Sequence, residues 1–192
     1  MMATSTDYQV KSDRSKKMLL WVSMVSMVMV FAALTSAYVV SSSRGDWKPF
    51  DMPSSFFIST ALMLISSVTF FMVKRQVKAG NRGGATLFLW LTFALGCAFV
   101  FFQFEGFREL FREGLFPAGD YASITVSFLW VLVLTHLAHL TGGMISLLVI
   151  IYNHFKQKYS PGQTLGIELG ALFWHFLDFL WLYLFLFLYF FK

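Results

Sequence analysis

The chain has 192 residues, the size of one domain, and 57% of them are hydrophobic while 13% carry a charge. That balance excludes an ordinary soluble enzyme and a disordered polar tail alike. The net charge of +5 suits a nucleic-acid binder only if the basic residues share a soluble face, and here they sit in short segments between apolar runs; a single cysteine, Cys97, excludes an intramolecular disulfide, an iron–sulfur cluster and a Cys-rich zinc site.

A bilayer core of about 30 Å takes about 20 helical residues, and five runs qualify: about 19–40, 55–73, 85–104, 123–152 and 169–191. None alternates with period two, so the expected fold class is an all-α membrane protein, a bundle of five transmembrane helices in one domain over 1–192. The first run, Leu19 to Val40, is long for a signal-peptide core and has no convincing cleavage site before Arg44, so it reads as a retained helix. Pro49 and Pro53 precede the second run, with Ser54 and Ser55 as expected N-caps. Gly80, Gly83 and Gly84 precede the third run and lack the Lys and strand of a phosphate loop. Cys97 inside that run reads as a small packing residue. Beyond it, Phe107, Leu110 and Phe111 recur at helical spacing among Glu105, Arg108, Glu109, Arg112 and Glu113, with Asp120 further on. This predicts an interfacial continuation with its apolar face in the headgroups. Pro117 and Gly119 precede the overlong fourth run, expected to tilt or project, and Pro161 and Gly162 precede the fifth.

Orientation follows from counting Lys and Arg. Lys11, Arg14, Lys16 and Lys17 in the tail (residues 1–17), Lys74, Arg75, Lys78 and Arg82 after the second run, and Lys156 and Lys158 after the fourth lie on one side. Arg44, Lys48, Arg108, Arg112 and Lys192 lie on the other. The positive-inside rule predicts N-in and C-out, with a cytoplasmic tail.

Polar groups inside the apolar runs are the candidate functional residues, because each costs several kcal/mol unless paired or neutralised. His136 and His139 share a face of the fourth run at i, i+3, with Thr135 before them and Gly142-Gly143 after, where a neighbouring helix could come close. His175 and Asp178 have the same spacing in the fifth. Three readings compete. A metal or haem site would use up to four ligands, or His136 and His175 as axial ligands of a haem-b membrane cytochrome. A proton path or antenna suits imidazole and carboxyl groups, although no chain of acids crosses the span. The default is structural: interhelical hydrogen bonds among His136, His139, His175 and Asp178, each worth about 0.6–2 kcal/mol, fix the helix register. Thr60, Ser66, Ser67 and Thr69 likewise give the second run small polar residues for a helix interface. No nucleophilic triad or dinucleotide fingerprint is present, so no catalytic residue is assigned.

The segment Trp174-His175-Phe176-Leu177-Asp178-Phe179-Leu180-Trp181-Leu182 resembles the WHFxDxxWL stretch of subunit III of haem–copper terminal oxidases. His136-Leu137-Ala138-His139 with Gly143 is similar to that family's HxxHxxxG. Leu95-Gly96, Phe99 and Gln103-Phe104-Glu105 follow its third-run pattern, and Ser59-Thr60 through Ser66-Ser67-Val68-Thr69 its second-run pattern. The ordered set covers most of residues 55–191 and resembles the short, five-helix form of the family. In the first run Met27 stands where the family usually carries a membrane-embedded acid, so no carboxylate role is carried over there. The resemblance implies a non-catalytic subunit in a bacterial inner membrane that binds the catalytic subunit I and other oxidase subunits, stabilises them and supports proton uptake. It implies that haem and copper belong to subunit I and that this chain binds phospholipid, not metal. Glu105, His136, His139, His175 and Asp178 are then expected in interhelical and proton-supporting roles. An accessory subunit of a quinol oxidase or nitric oxide reductase is the alternative within the family, and a respiratory supercomplex is a conceivable setting. Nucleic acid is not an expected partner.

Overall fold

A computed structural model describes residues 2–45, 47, 51–119, 123–159 and 164–191, with side chains described from Val10 onward. It contains five helices: α1 (Met2–Ser41), α2 (Ser54–Lys78), α3 (Arg82–Arg112), α4 (Ile124–Phe155) and α5 (Leu165–Phe190). All five are long and apolar enough to cross a membrane. Lys48, Pro49, Asp120, Pro161, Gly162 and Lys192 lie outside the described residues.

Each helix contains nearly all of an expected run, and most run well past its ends. The apolar run marks where hydrocarbon is, whereas the helix continues until a breaker stops it. Thus α1 starts at Met2, so the expected tail is helical, and α2 carries Lys74, Arg75 and Lys78 before it ends. That end is a Schellman motif: Asn81 N–H donates to Gln76 O at 3.0 Å and Gly80 N–H to Val77 O at 3.1 Å, with Gly80 at φ +73°. The same motif closes α4 with a non-glycine, Gln157 at φ 55°, in the left-handed position.

Three expectations are corrected at the helix ends and on the surface. Pro53 is the N-cap of α2, and Ser54 and Ser55 instead bond the Glu109 carboxylate at the end of α3. They lie inside the first turn, where their hydroxyls reach sideways rather than back to a backbone N–H. Most of the apolar face of the α3 continuation turns into the bundle: Phe107 and Leu110 are buried, Phe107 stacking on Trp130 of α4 at 4.0 Å, and Phe111 alone of the three is exposed. Cys97 is exposed, on the outward face of α3.

Side-chain pairings give the topology. Thr69 meets Thr92 and Ser59 meets Gln103, so α2 and α3 are antiparallel. Ser66 meets Trp174 and Thr60 meets Trp181, so α2 and α5 are antiparallel too. With α3 on α4 and α4 on α5, helices α2 to α5 close a four-membered ring. α1 stands outside, and among the described residues it packs against α4 and α5 only. Its buried residues Met24, Phe31 and Tyr38 recur every seven positions, with Thr35 beside them. This is a single heptad seam, and the rest of α1 faces outward. One end of the bundle carries Lys17, Lys74, Arg75, Lys78, Arg82 and Lys156, and is called here the basic end. The opposite end carries Glu105, Arg108, Glu109, Arg112 and Glu113.

Candidate functional site

α5 positions the central residues. Trp174 and Trp181 are seven residues apart, hence on one face, and both are almost fully buried. A buried indole N–H needs an acceptor. Trp174 Nε1 donates to Ser66 Oγ and Trp181 Nε1 to Thr60 Oγ1, each at 3.0 Å. On the α3 side of α2, Thr69 Oγ1 lies 2.9 Å from Thr92 Oγ1, and Gln103 Nε2 donates to Ser59 Oγ at 2.8 Å. The small polar residues expected at an interface on the second run, Thr60, Ser66, Ser67 and Thr69, are thus all at one. The indoles of the motif and the hydroxyls of α2, with Gln103, make most of the interhelical bonds in the membrane-spanning region.

Glycines make the room. A Cβ on Gly96 would sit 2.7 Å from Met144 Sδ and 3.1 Å from Trp174 Cη2. One on Gly143 would sit 2.8 Å from Leu177 Cδ1. Gly143 therefore admits α5 as expected, whereas Gly142 faces open space.

The four residues expected to bond one another do not do so. His136 is fully buried in a box of Phe31, Phe99 and Trp181, with ring centroids 6.4, 6.1 and 5.2 Å away, and neither of its nitrogens makes a hydrogen bond. His139 donates from Nδ1 to Thr135 O of its own helix at 2.7 Å and packs on Phe31. His175 Nδ1 lies 2.7 Å from Ser67 Oγ of α2 and 3.9 Å from Asp178 Oδ2. Asp178 is 5% exposed, and neither carboxyl oxygen makes a hydrogen bond. The expected cluster is therefore two clusters: His136 and His139 beside α1, and His175 with Asp178 beside α2. Spacing i, i+3 places two side chains on one helix face but leaves open which neighbour that face meets.

Glu105 belongs to neither. It sits at the end of the bundle opposite the lysines, 3.1 Å from Arg108 Nη1 and 4.0 Å from Arg112 Nη2. One turn further on, Glu109 spans to Ser54 and Ser55 at the positive end of the α2 dipole. The pair taken as axial haem ligands in the alternative reading, His136 and His175, face different neighbours. Among the described residues no three His, Cys, Asp or Glu side chains come together as a metal-binding set.

Two hollows flank α5 on its α1 side. A cleft of about 350 Å³ at the basic end is lined by Lys17 and Trp21 of α1, Phe71 and Lys74 of α2, and Glu168 and His175 of α5, among others. Glu168 bridges its rim, 3.5 Å from Lys74 and 4.0 Å from Lys78. Further along the same seam an apolar slot of about 310 Å³ lies between Val28, Phe31 and Ala32 and the face of α5 from Phe176 to Tyr183.

The motifs agree with comparison to known proteins. The chain is 30% identical to subunit 3 of the cytochrome bo(3) ubiquinol oxidase of Pseudomonas putida, over 86% of this chain and 80% of that one. It is 27% identical to quinol oxidase subunit 3 of Bacillus subtilis, over 93% and 88%. It is also 27% identical to a probable cytochrome c oxidase subunit 3 of Mycobacterium tuberculosis, over 91% and 86%. The family model described as cytochrome c oxidase subunit III matches residues 4–192, and this multi-pass membrane chain belongs to that family.

Proposed function

We propose that the chain is the non-catalytic subunit III of a proton-pumping haem–copper oxidase, which reduces oxygen to water in a bacterial inner membrane. In this reading it lies N-in and C-out, stabilises the catalytic subunit I and supports proton uptake. It binds no haem or copper of its own, and the electron donor, cytochrome c or quinol, docks elsewhere in the complex. The observation that carries the reading is how the motif residues are used. Trp174, Trp181, Gln103, Gly96 and Gly143 all serve helix-to-helix contact, as suits a scaffold. Phospholipid fits the reading as a lateral ligand, with the apolar slot between α1 and α5 as a seat for an acyl chain.

Purification of the tagged chain from mild-detergent membranes tests the proposal. A large haem- and copper-bearing subunit should travel with it, and removing the chain should shorten the number of turnovers that the oxidase completes before inactivation. A haem Soret band that stays with the separated chain and vanishes in His175→Ala would instead establish the cytochrome reading.

A further inference from the structure

We propose that Asp178 and His175 form a proton-exchange site open to the basic end of the bundle alone. The proposal rests on the reading of the chain as a subunit that supports proton uptake, and it gives that support a location. Asp178 is a buried carboxyl whose oxygens make no hydrogen bond, yet its Oδ2 is only 3.9 Å from His175 Nδ1. His175 is the boundary residue: its side chain is 36% exposed, and it forms part of the wall of the 350 Å³ cleft. Ser67 holds the ring by Nδ1, which turns Nδ1 inward to the acid and leaves Nε2 for the cleft.

The charges facing this path are Lys17 from α1, Lys74 from α2 and Glu168 from α5, all lining the cleft, with Lys78 of α2 behind them, 4.0 Å from Glu168. α3 places no charged residue between Arg82 and Glu105. Of the three histidines of α4, His136 lies against Trp181, His139 lies beside Phe31, and His154 is held by Thr86 of α3 at 2.9 Å. One turn past Asp178 the route is stopped by Trp181, which is bonded to Thr60 and packed edge-on against Phe56 and Phe99. A proton entering from water in the cleft is taken at Nε2 while Nδ1 gives its own to Ser67 Oγ, whose hydroxyl proton passes in turn to Asp178. The imidazole is restored when its remaining proton moves from Nε2 to Nδ1, and the reverse steps return the proton to the cleft. With the far side closed, the pair stores and returns a proton without leaking it across the membrane.

Infrared spectroscopy of the complete oxidase tests this. The parent should show a protonated-carboxyl band that Asp178→Asn removes and that shifts promptly in D2O. In His175→Leu the shift should be slower by about a hundredfold, the size of a lost acid–base group. His175→Gln keeps a polar partner for Ser67 without a titratable nitrogen and should be equally slow, which separates lost proton transfer from lost packing. A band untouched by Asp178→Asn, or parental exchange in His175→Gln, overturns the site. Absence of the parent chain from the purified oxidase, read on the same samples by gel, counts against the subunit assignment instead.

Discussion

α5 meets two neighbours in two different ways. Against α2 it is pinned at Trp174, His175 and Trp181, whose ring nitrogens face three hydroxyls. Against α1, among the described residues, it has one polar link, Thr35 Oγ1 to Tyr183 OH at 3.2 Å, and otherwise the heptad stripe and two hollows. Helices in lipid gain little from hydrophobicity itself, so close packing and hydrogen bonds decide which contacts endure. By that standard the ring of α2 to α5 is the rigid body and α1 an attachment to it.

The sharpest way to break the contrast is Trp181→Ala. It empties the space between Phe56, Phe99 and His136 and should lower unfolding stability of the detergent-solubilised protein by about 3–5 kcal/mol, followed by circular dichroism. Trp181→Phe keeps most of the shape and should lose about 1–2 kcal/mol, the part due to the bond to Thr60. Gly96→Leu forces a side chain against Met144 and Trp174 and should cost about 1–3 kcal/mol by the same measurement. Thr35→Val acts on the weaker seam: it should cost at most about 1 kcal/mol. Its signature should be faster protease cleavage near the α1 terminus, with melting of the ring unchanged. Gln157→Gly relieves a side chain in the left-handed position and should stabilise the protein by about half a kcal/mol. If Thr35→Val instead destabilises the ring as much as Trp181→Phe does, α1 belongs to the rigid body and the contrast fails.

The five spans were legible because run length against bilayer thickness is a strong signal. The helix ends were less so: nothing between Lys74 and Lys78 breaks a helix, and charge alone does not stop one. The polar face of α2 could be read from the spacing of Thr60, Ser66, Ser67 and Thr69. Its partners could not, because no charge marks them: they are the indole N–H groups of Trp174 and Trp181, seven residues apart, donors that burial obliges to find an acceptor. His136 and Asp178 could be identified as buried but not assigned to a neighbour, because one helix's periodicity does not fix the azimuth of the next. Glu105 followed from the motif that carries it, and its arginine partners lie one and two turns away on the same helix.

The placement of α1 has a consequence for how the protein is made. Of the five helices α1 is made first, yet the ones that it leans on, α4 and α5, are made after the other two. α2 and α3 can pair as soon as both are inserted, whereas α1 has no helix of its own chain to pack on until α4 and α5 are made. Biogenesis of this chain therefore closes from its two termini, and a truncation that removes α5 strands α1 even though every residue of α1 is intact.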